Sequence, residues 1–200
     1  MFCYQCEQTA RGEGCTKIGV CGKESDVAIL QDLLIYALKG LSLYAVEGRK
    51  KGVVDPEVND FTCKALFSTL TNVNFDSDRF VHLIQRAVTL RENLKEKVKA
   101  AKGKVDLQEG PATFKPEPAI EGLLKQGEAA GLKSDPTIDP DILSLQHILI
   151  FGIKGVAAYA RCSYFDRRTC PGFHAEPGWK LAGDARSRQR TPDCSASSEG

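Results

Sequence analysis

DVAILQDLLIYALKGLSLYAVEG, residues 26–48, is the stretch from which the fold is read. Ile29, Leu30, Leu33, Leu34, Ala37, Leu41, Tyr44 and Ala45 recur at steps of three and four, the spacing of one helix face. Ser25 suits an N-cap and Gly48 a stop. Gly40 costs about 1 kcal/mol against alanine inside a helix, which points to close helix contact at that position. The stripe reads as core packing.

The same stretch returns later. LQHILIFGIKGVAAYA at 145–160 matches LQDLLIYALKGLSLYA at 30–45, with eight of sixteen positions identical. A repeat displaced by 115 residues implies a duplicated helical unit. His147 stands where the first copy has Asp32, a single change that carries no functional weight.

Between the copies the chain reads as further helices. A second is predicted over about 57–73, with Val58, Phe61, Ala65, Leu66, Leu70 and Val73 inward, and a third over about 78–101 with Phe80, Leu83, Ile84, Ala87, Val88, Leu90, Leu94 and Val98 inward. Short connections make residues 26–101 a three-helix bundle of antiparallel neighbours. Cys63 is read as a small buried hydrophobe and His82 as exposed or satisfied in the core. Residues 102–118, with Gly103, Gly110, Pro111, Pro116 and Pro118, form a linker. A short helix at 119–131 and the repeat copy make residues 119–160 an incomplete second unit, whose apolar faces should be exposed. The fold class is all-α.

The first 25 residues are different. Cys3, Cys6, Cys15 and Cys21 follow C-x2-C-x8-C-x5-C in a loop that also holds Gly12, Gly14 and Gly19. Converging thiolates from a loop suit an iron–sulfur cluster. Arg11, Lys17 and Lys23, with the positive end of a helix starting near Ser25, would offset its negative charge. Zinc is a second reading, although four-thiolate zinc sites usually use two short knuckles and only Cys3 and Cys6 make one. Two disulfides are a third, and need an oxidising compartment.

FCYQCEQTA, the C-x8-C-x5-C continuation, the following CGK and LQDLLIYALKGLSLYA together resemble the N-terminus of the hybrid cluster proteins, also called prismane proteins or hydroxylamine reductases. The resemblance is dense over about the first fifty residues and extends to about residue 160. It implies that Cys3, Cys6, Cys15 and Cys21 bind a [4Fe–4S] cluster that relays electrons. It also implies hydroxylamine reduction to ammonia, or nitric oxide reduction, at a second, hybrid iron–sulfur–oxygen cluster. The ligands of that second cluster map to no residue here, so no catalytic residue is assigned and the second cluster is not expected. A redox donor protein or small-molecule reductant is the implied partner. A stand-alone ferredoxin-like carrier and a non-enzymatic zinc or cluster sensor are the alternatives.

Composition agrees with a globular chain: 42% apolar and 26% charged residues, with a net charge of +1 that offers no attraction to nucleic acid or an anionic membrane. MFCYQCEQ has neither the basic region nor the apolar core of a signal peptide, and no apolar run is read as a membrane span. The eight cysteines are therefore expected to be reduced or metal-bound in a cytoplasm.

After Ala160 the composition changes. Residues 161–200 contain Leu181 as their sole Leu, Ile, Val or Met, and hold 1 Lys and 6 Arg where residues 1–160 hold 15 Lys and 5 Arg. The expectation is a disordered tail or a shifted reading frame; a frame after Ala160 that continues the helical repeat is the sign of the latter. Cys162, Cys170, His174 and Cys194 are too irregularly spaced for a zinc site.

Overall fold

The computed structural model describes residues 2–3, 5–10, 14–130 and 138–169, and of residues 162–169 the backbone alone. Six α-helices follow one turn of 3-10 helix at Glu7–Thr9: α1 (Ser25–Arg49), α2 (Pro56–Ser68), α3 (Ser77–Ala100), α4 (Gly110–Thr113), α5 (Ile120–Ala130) and α6 (Pro140–Thr169). The all-α expectation holds.

The apolar period of α1 places Leu30, Leu33, Leu34, Ala37, Leu41 and Tyr44 in one core. Phe80, Ile84, Ala87, Leu90, Leu94 and Val98 of α3 meet them, and α1–α3 is the most extensive helix contact. The two helices run parallel. Ser77 Oγ donates to Asp26 Oδ2 at 3.0 Å at their N-terminal ends, and Gly48 sits against Val98 at their C-terminal ends. Each fully buried Leu or Ile contributes about 1.5–3 kcal/mol. The main seam thus joins first and third helices, not sequence neighbours.

α2 is shorter than its apolar pattern suggests. Asp55 caps it, accepting from the backbone N–H of Glu57 and Val58, and Pro56 opens it. It stops at Ser68, where the hydroxyls of Ser68 and Thr69 turn back onto the carbonyls of Ala65 and Leu66, both at 2.7 Å. Val73, an expected core residue, is left exposed beyond that end. α2 touches α1 and α3 only lightly and packs instead on α6. α6 runs antiparallel to it: Lys154 lies at Thr69 and Arg161 at Asp60.

The 102–118 segment does more than link. α4 and α5 both pack on α1. Arg91, buried on α3, donates to the Pro111 carbonyl at 3.1 Å and ties α4 down. Leu123 of α5 is fully buried in the first core, so α5 packs with the first unit although the sequence reading groups it with the second.

α6 also continues past Ala160 to Thr169. Its sequence has no glycine or proline between Gly155 and Pro171, so nothing local interrupts it. Cys170, His174 and Cys194 lie outside the described residues, as does the side chain of Cys162.

The apolar face of α6 is open, whereas its counterpart on α1 is closed. Leu41 and Tyr44 are each 1% exposed, while Val156 and Tyr159, in the same register of the repeat, are 71% and 82% exposed. One sequence expectation is corrected here. Ser25–Arg49 and Pro140–Arg161 both have the length and hydropathy of a membrane span. α1 has them as the buried helix of the core; α6 has them because its open face is apolar.

Candidate cluster-binding loop and its buried polar floor

The cysteine loop sits at the N-terminal end of α1. Cys3 and Cys15 lie side by side as an isolated antiparallel bridge, and Phe2 N–H donates to the Cys15 carbonyl at 2.9 Å. Cys6 precedes the 3-10 turn, which Thr9 closes by donating its hydroxyl to the Cys6 carbonyl at 2.8 Å. Cys21 is exposed in the turn that leads to α1. An open cleft of about 520 Å³ borders Cys15, lined in part by Glu7, Gln8, Thr16 and Lys17. Among the described residues no three His, Cys, Asp or Glu side chains lie close enough to hold a metal ion. Of the four predicted ligands, the structure pairs the backbones of Cys3 and Cys15.

The turn into α1 has a second consequence. Gly19 N–H donates to the Lys23 carbonyl at 2.7 Å, and Gly22 adopts φ +87°, a left-handed conformation that suits glycine. This closed turn puts Lys23 inside, with 1% of its surface exposed. Its ammonium donates to Gln31 Oε1 at 2.8 Å, and Gln5 Nε2 donates to the same oxygen at 3.1 Å. Two donors on one oxygen fix the orientation of the Gln31 amide. Its Nε2 is then buried without an acceptor.

Lys154 of α6 is a second buried lysine. It is as buried as Lys23, and its ammonium has a long contact of 3.5 Å to the Thr69 carbonyl. Burial lowers its pKa from the ordinary lysine value to about 8; Asp32 pulls it back up, Lys23 pushes it down and Cys3 raises it. Lys39, the same repeat position on α1, is exposed by comparison; burial of its stem lowers its pKa and Asp32 opposes this.

The floor is thus rich in donors and short of acceptors. The buried ammonium of Lys23 and the orphaned amide N–H of Gln31 lie against the loop that carries four thiols. An uncompensated buried cation costs several kcal/mol, and an anionic group above it removes that cost. A thiolate-ligated cluster is such a group, and sulfur accepts the N–H bonds that Gln31 and Lys23 have to give. By charge and by donor chemistry the residues fit it. Of the cations expected from sequence, Arg11 lies outside the described residues, Lys17 is exposed, and Lys23 is in place. Lys154 and Gln31 were not singled out. The available signal was a lysine inside the apolar run LIFGIKGVAAYA, at a position identical in both repeat copies.

Comparison with known proteins accounts for the resemblance. The chain is 68% identical over 160 residues to a hydroxylamine reductase of Syntrophobacter fumaroxidans, 60% identical over 161 residues to one of Methanocella arvoryzae, and 56% identical over 161 residues to one of Solidesulfovibrio magneticus. Each match covers 80% of this chain, and the chain spans about 30% of the length of these relatives. The model of the Prismane/CO dehydrogenase family matches residues 1–170. With 170 of 200 residues matched, this chain belongs to the Prismane/CO dehydrogenase family.

Proposed function

We propose that this chain is the electron-relaying N-terminal part of an iron–sulfur oxidoreductase of the hydroxylamine reductase type. Cys3, Cys6, Cys15 and Cys21 would hold one [4Fe–4S] cluster. The observation that carries the reading is the buried, donor-rich floor of Lys23 and Gln31 beneath the cysteine loop. A four-thiolate zinc site and an oxidised four-thiolate cubane carry the same net charge of about 2−, so the floor suits either; it is the cysteine pattern, with Cys3 and Cys6 as its one short knuckle, that favours the cluster over zinc. Reduction of hydroxylamine to ammonia and water takes two electrons and two protons. The cluster, when bound, supplies one-electron transfer, and this chain's residues hold it and set its electrostatic surroundings.

The whole reaction belongs to the longer relatives by name, and this chain spans about 30% of their length. Turnover is accordingly proposed for the complete protein, with a donor protein or small-molecule reductant supplying single electrons in the cytoplasm. The isolated chain is expected to accept and release electrons without reducing hydroxylamine.

Anaerobic purification with iron and sulfide counting, followed by electron paramagnetic resonance of the reduced protein, tests this. About four irons per chain with a reduced cubane signal is the expected result. About eight irons would mean that a second cluster assembles here, against the proposal. Zinc without sulfide would overturn it altogether.

A further inference from the structure

We propose that Gln31 is the positioning residue of the cluster loop. Its carboxamide oxygen ties both ends of the four-cysteine loop to α1, and its remaining N–H donates to sulfur when the cluster is bound. Both roles rest on the four-cysteine reading above.

Gln31 is fully buried, on a stretch of α1 where Val27, Ala28, Leu30 and Leu34 are buried too. A polar side chain in such a place is accounted for by its partners. Its oxygen accepts from Gln5 Nε2 at 3.1 Å and from Lys23 Nζ at 2.8 Å. Gln5 stands between Cys3 and Cys6, and Lys23 follows Cys21 after one glycine. The two hydrogen bonds therefore bracket the cysteine series, from its short knuckle to the turn that enters α1. Both loop ends meet on one side-chain atom of α1.

The orientation of the amide is forced. An ammonium donates and cannot accept, so only the oxygen of Gln31 can face Lys23. The amide nitrogen shares a carbon with that oxygen and so lies at the same junction of loop and helix. It is buried, with no hydrogen-bond partner among the described residues. Leaving such an N–H unpaired costs about 1–3 kcal/mol. Sulfur of a bound cluster accepts that hydrogen bond. A donor on cluster sulfur stabilises the reduced, more negative form more than the oxidised one, so the potential rises. The repeat supplies a contrast: Gln146 holds the same register on α6, where it is exposed.

The test uses the 200-residue chain, both metal-free and reconstituted with iron and sulfide. Wild type is compared with Gln31→Met, Gln31→Glu and Gln146→Met. Methionine is close to glutamine in length and suits a buried helix position, so the fold should survive. In the metal-free chain, amide hydrogen exchange reads the clamp at Gly19, whose N–H donates to the Lys23 carbonyl. Loss of two hydrogen bonds in Gln31→Met should speed exchange there by about tenfold. Gln31→Glu keeps an acceptor for both donors and should exchange like wild type. In the loaded chain, a chelator should remove iron about tenfold faster from Gln31→Met. The potential, titrated under electron paramagnetic resonance, should be more negative in both Gln31 variants, because neither keeps the N–H. Gln146→Met should match wild type throughout. A merely structural glutamine would alter exchange and leave the potential unmoved. Either of two results overturns the inference and leaves the cluster reading intact: wild-type exchange at Gly19 in metal-free Gln31→Met, or wild-type potentials at equal iron content. Gln31→Glu supplies the potential if Gln31→Met does not load. A wild-type chain that binds no iron overturns the cluster reading, and the sulfur donation with it, on the metal count alone.

Discussion

Gly40 of α1 lies so close to the Pro111 carbonyl of α4 that a Cβ on residue 40 would overlap that oxygen. The same oxygen accepts from buried Arg91. Gly40→Ala should therefore push α4 away from α1 and destabilise the protein by about 1–3 kcal/mol. Gly155, its repeat counterpart on α6, faces open space, and Gly155→Ala should stabilise by up to about 1 kcal/mol through helix propensity. Chemical denaturation of the two variants checks the contrast. Because Gly40 and Arg91 act on one carbonyl, Gly40→Ala with Arg91→Met should cost less than the sum of the single changes.

The open apolar face of α6 should make this chain self-associate. Leu145, Ile148, Leu149, Val156 and Tyr159 are all exposed on it. A contiguous apolar surface of that kind is unusual on a monomer. Concentration-dependent association and binding of a hydrophobic dye are the expected outcomes, and both should weaken in Leu149→Glu and Val156→Glu. A monomer at high concentration with no dye binding would count against the prediction.

Asp55 joins a helix cap to an ion pair. Its carboxylate caps α2 and accepts from the Lys97 ammonium at 2.7 Å. The Lys97 hydrogen bond is the main reason its pKa is held below the ordinary carboxylate value; Lys97 is raised in turn. A lowered acid pKa stabilises the fold fully above the ordinary carboxylate range, and the contribution is lost as pH falls through the lowered value. The raised lysine acts at the other end, contributing below its ordinary value and losing it as pH rises past the folded one. Asp55→Ala should cost about 1 kcal/mol at neutral pH. Asp55→Asn should keep most of the cap but flatten the acid limb of a stability–pH curve. An unchanged acid limb in Asp55→Asn would show that the ion pair contributes nothing.

The cysteines should separate into two classes. Replacing Cys21 or Cys6 by serine should lower the iron bound per reconstituted chain, since each is proposed as a cluster ligand. Cys63, half-buried within α2, should tolerate serine with no loss of iron. Equal iron content in Cys21→Ser and Cys63→Ser would remove Cys21 from the ligand set.

Much of this architecture was legible in one dimension. The three-and-four spacing of α1 and α3 named most of their core residues, because a helix that buries one face must repeat its apolar residues at that period; it missed Val27 and Leu38 and included Ile29 and Val88, which lie outside the core. Cysteine spacing marked the loop, since ligating side chains at those intervals have a chemical reading without any neighbours. The end of α2 was not legible, because the hydroxyls of Ser68 and Thr69 stop a helix whose apolar pattern runs on. Nor was α4, whose GPAT sequence becomes a helical turn against Gly40 and Arg91.

By itself, then, the sequence determined the helical class, the buried faces of α1 and α3, the repeat and the four-cysteine loop. These depend on patterns within single segments. Tertiary structure decided that α1 pairs with α3 in parallel, that α5 closes the first core, and that α6 leaves its apolar face open. It also decided that Lys154 of α6 becomes buried, with its ammonium at the Thr69 carbonyl past the end of α2. The identical lysine of the first copy does not, because a residue's burial and charge environment depend on what packs against its helix, and the two copies have different neighbours.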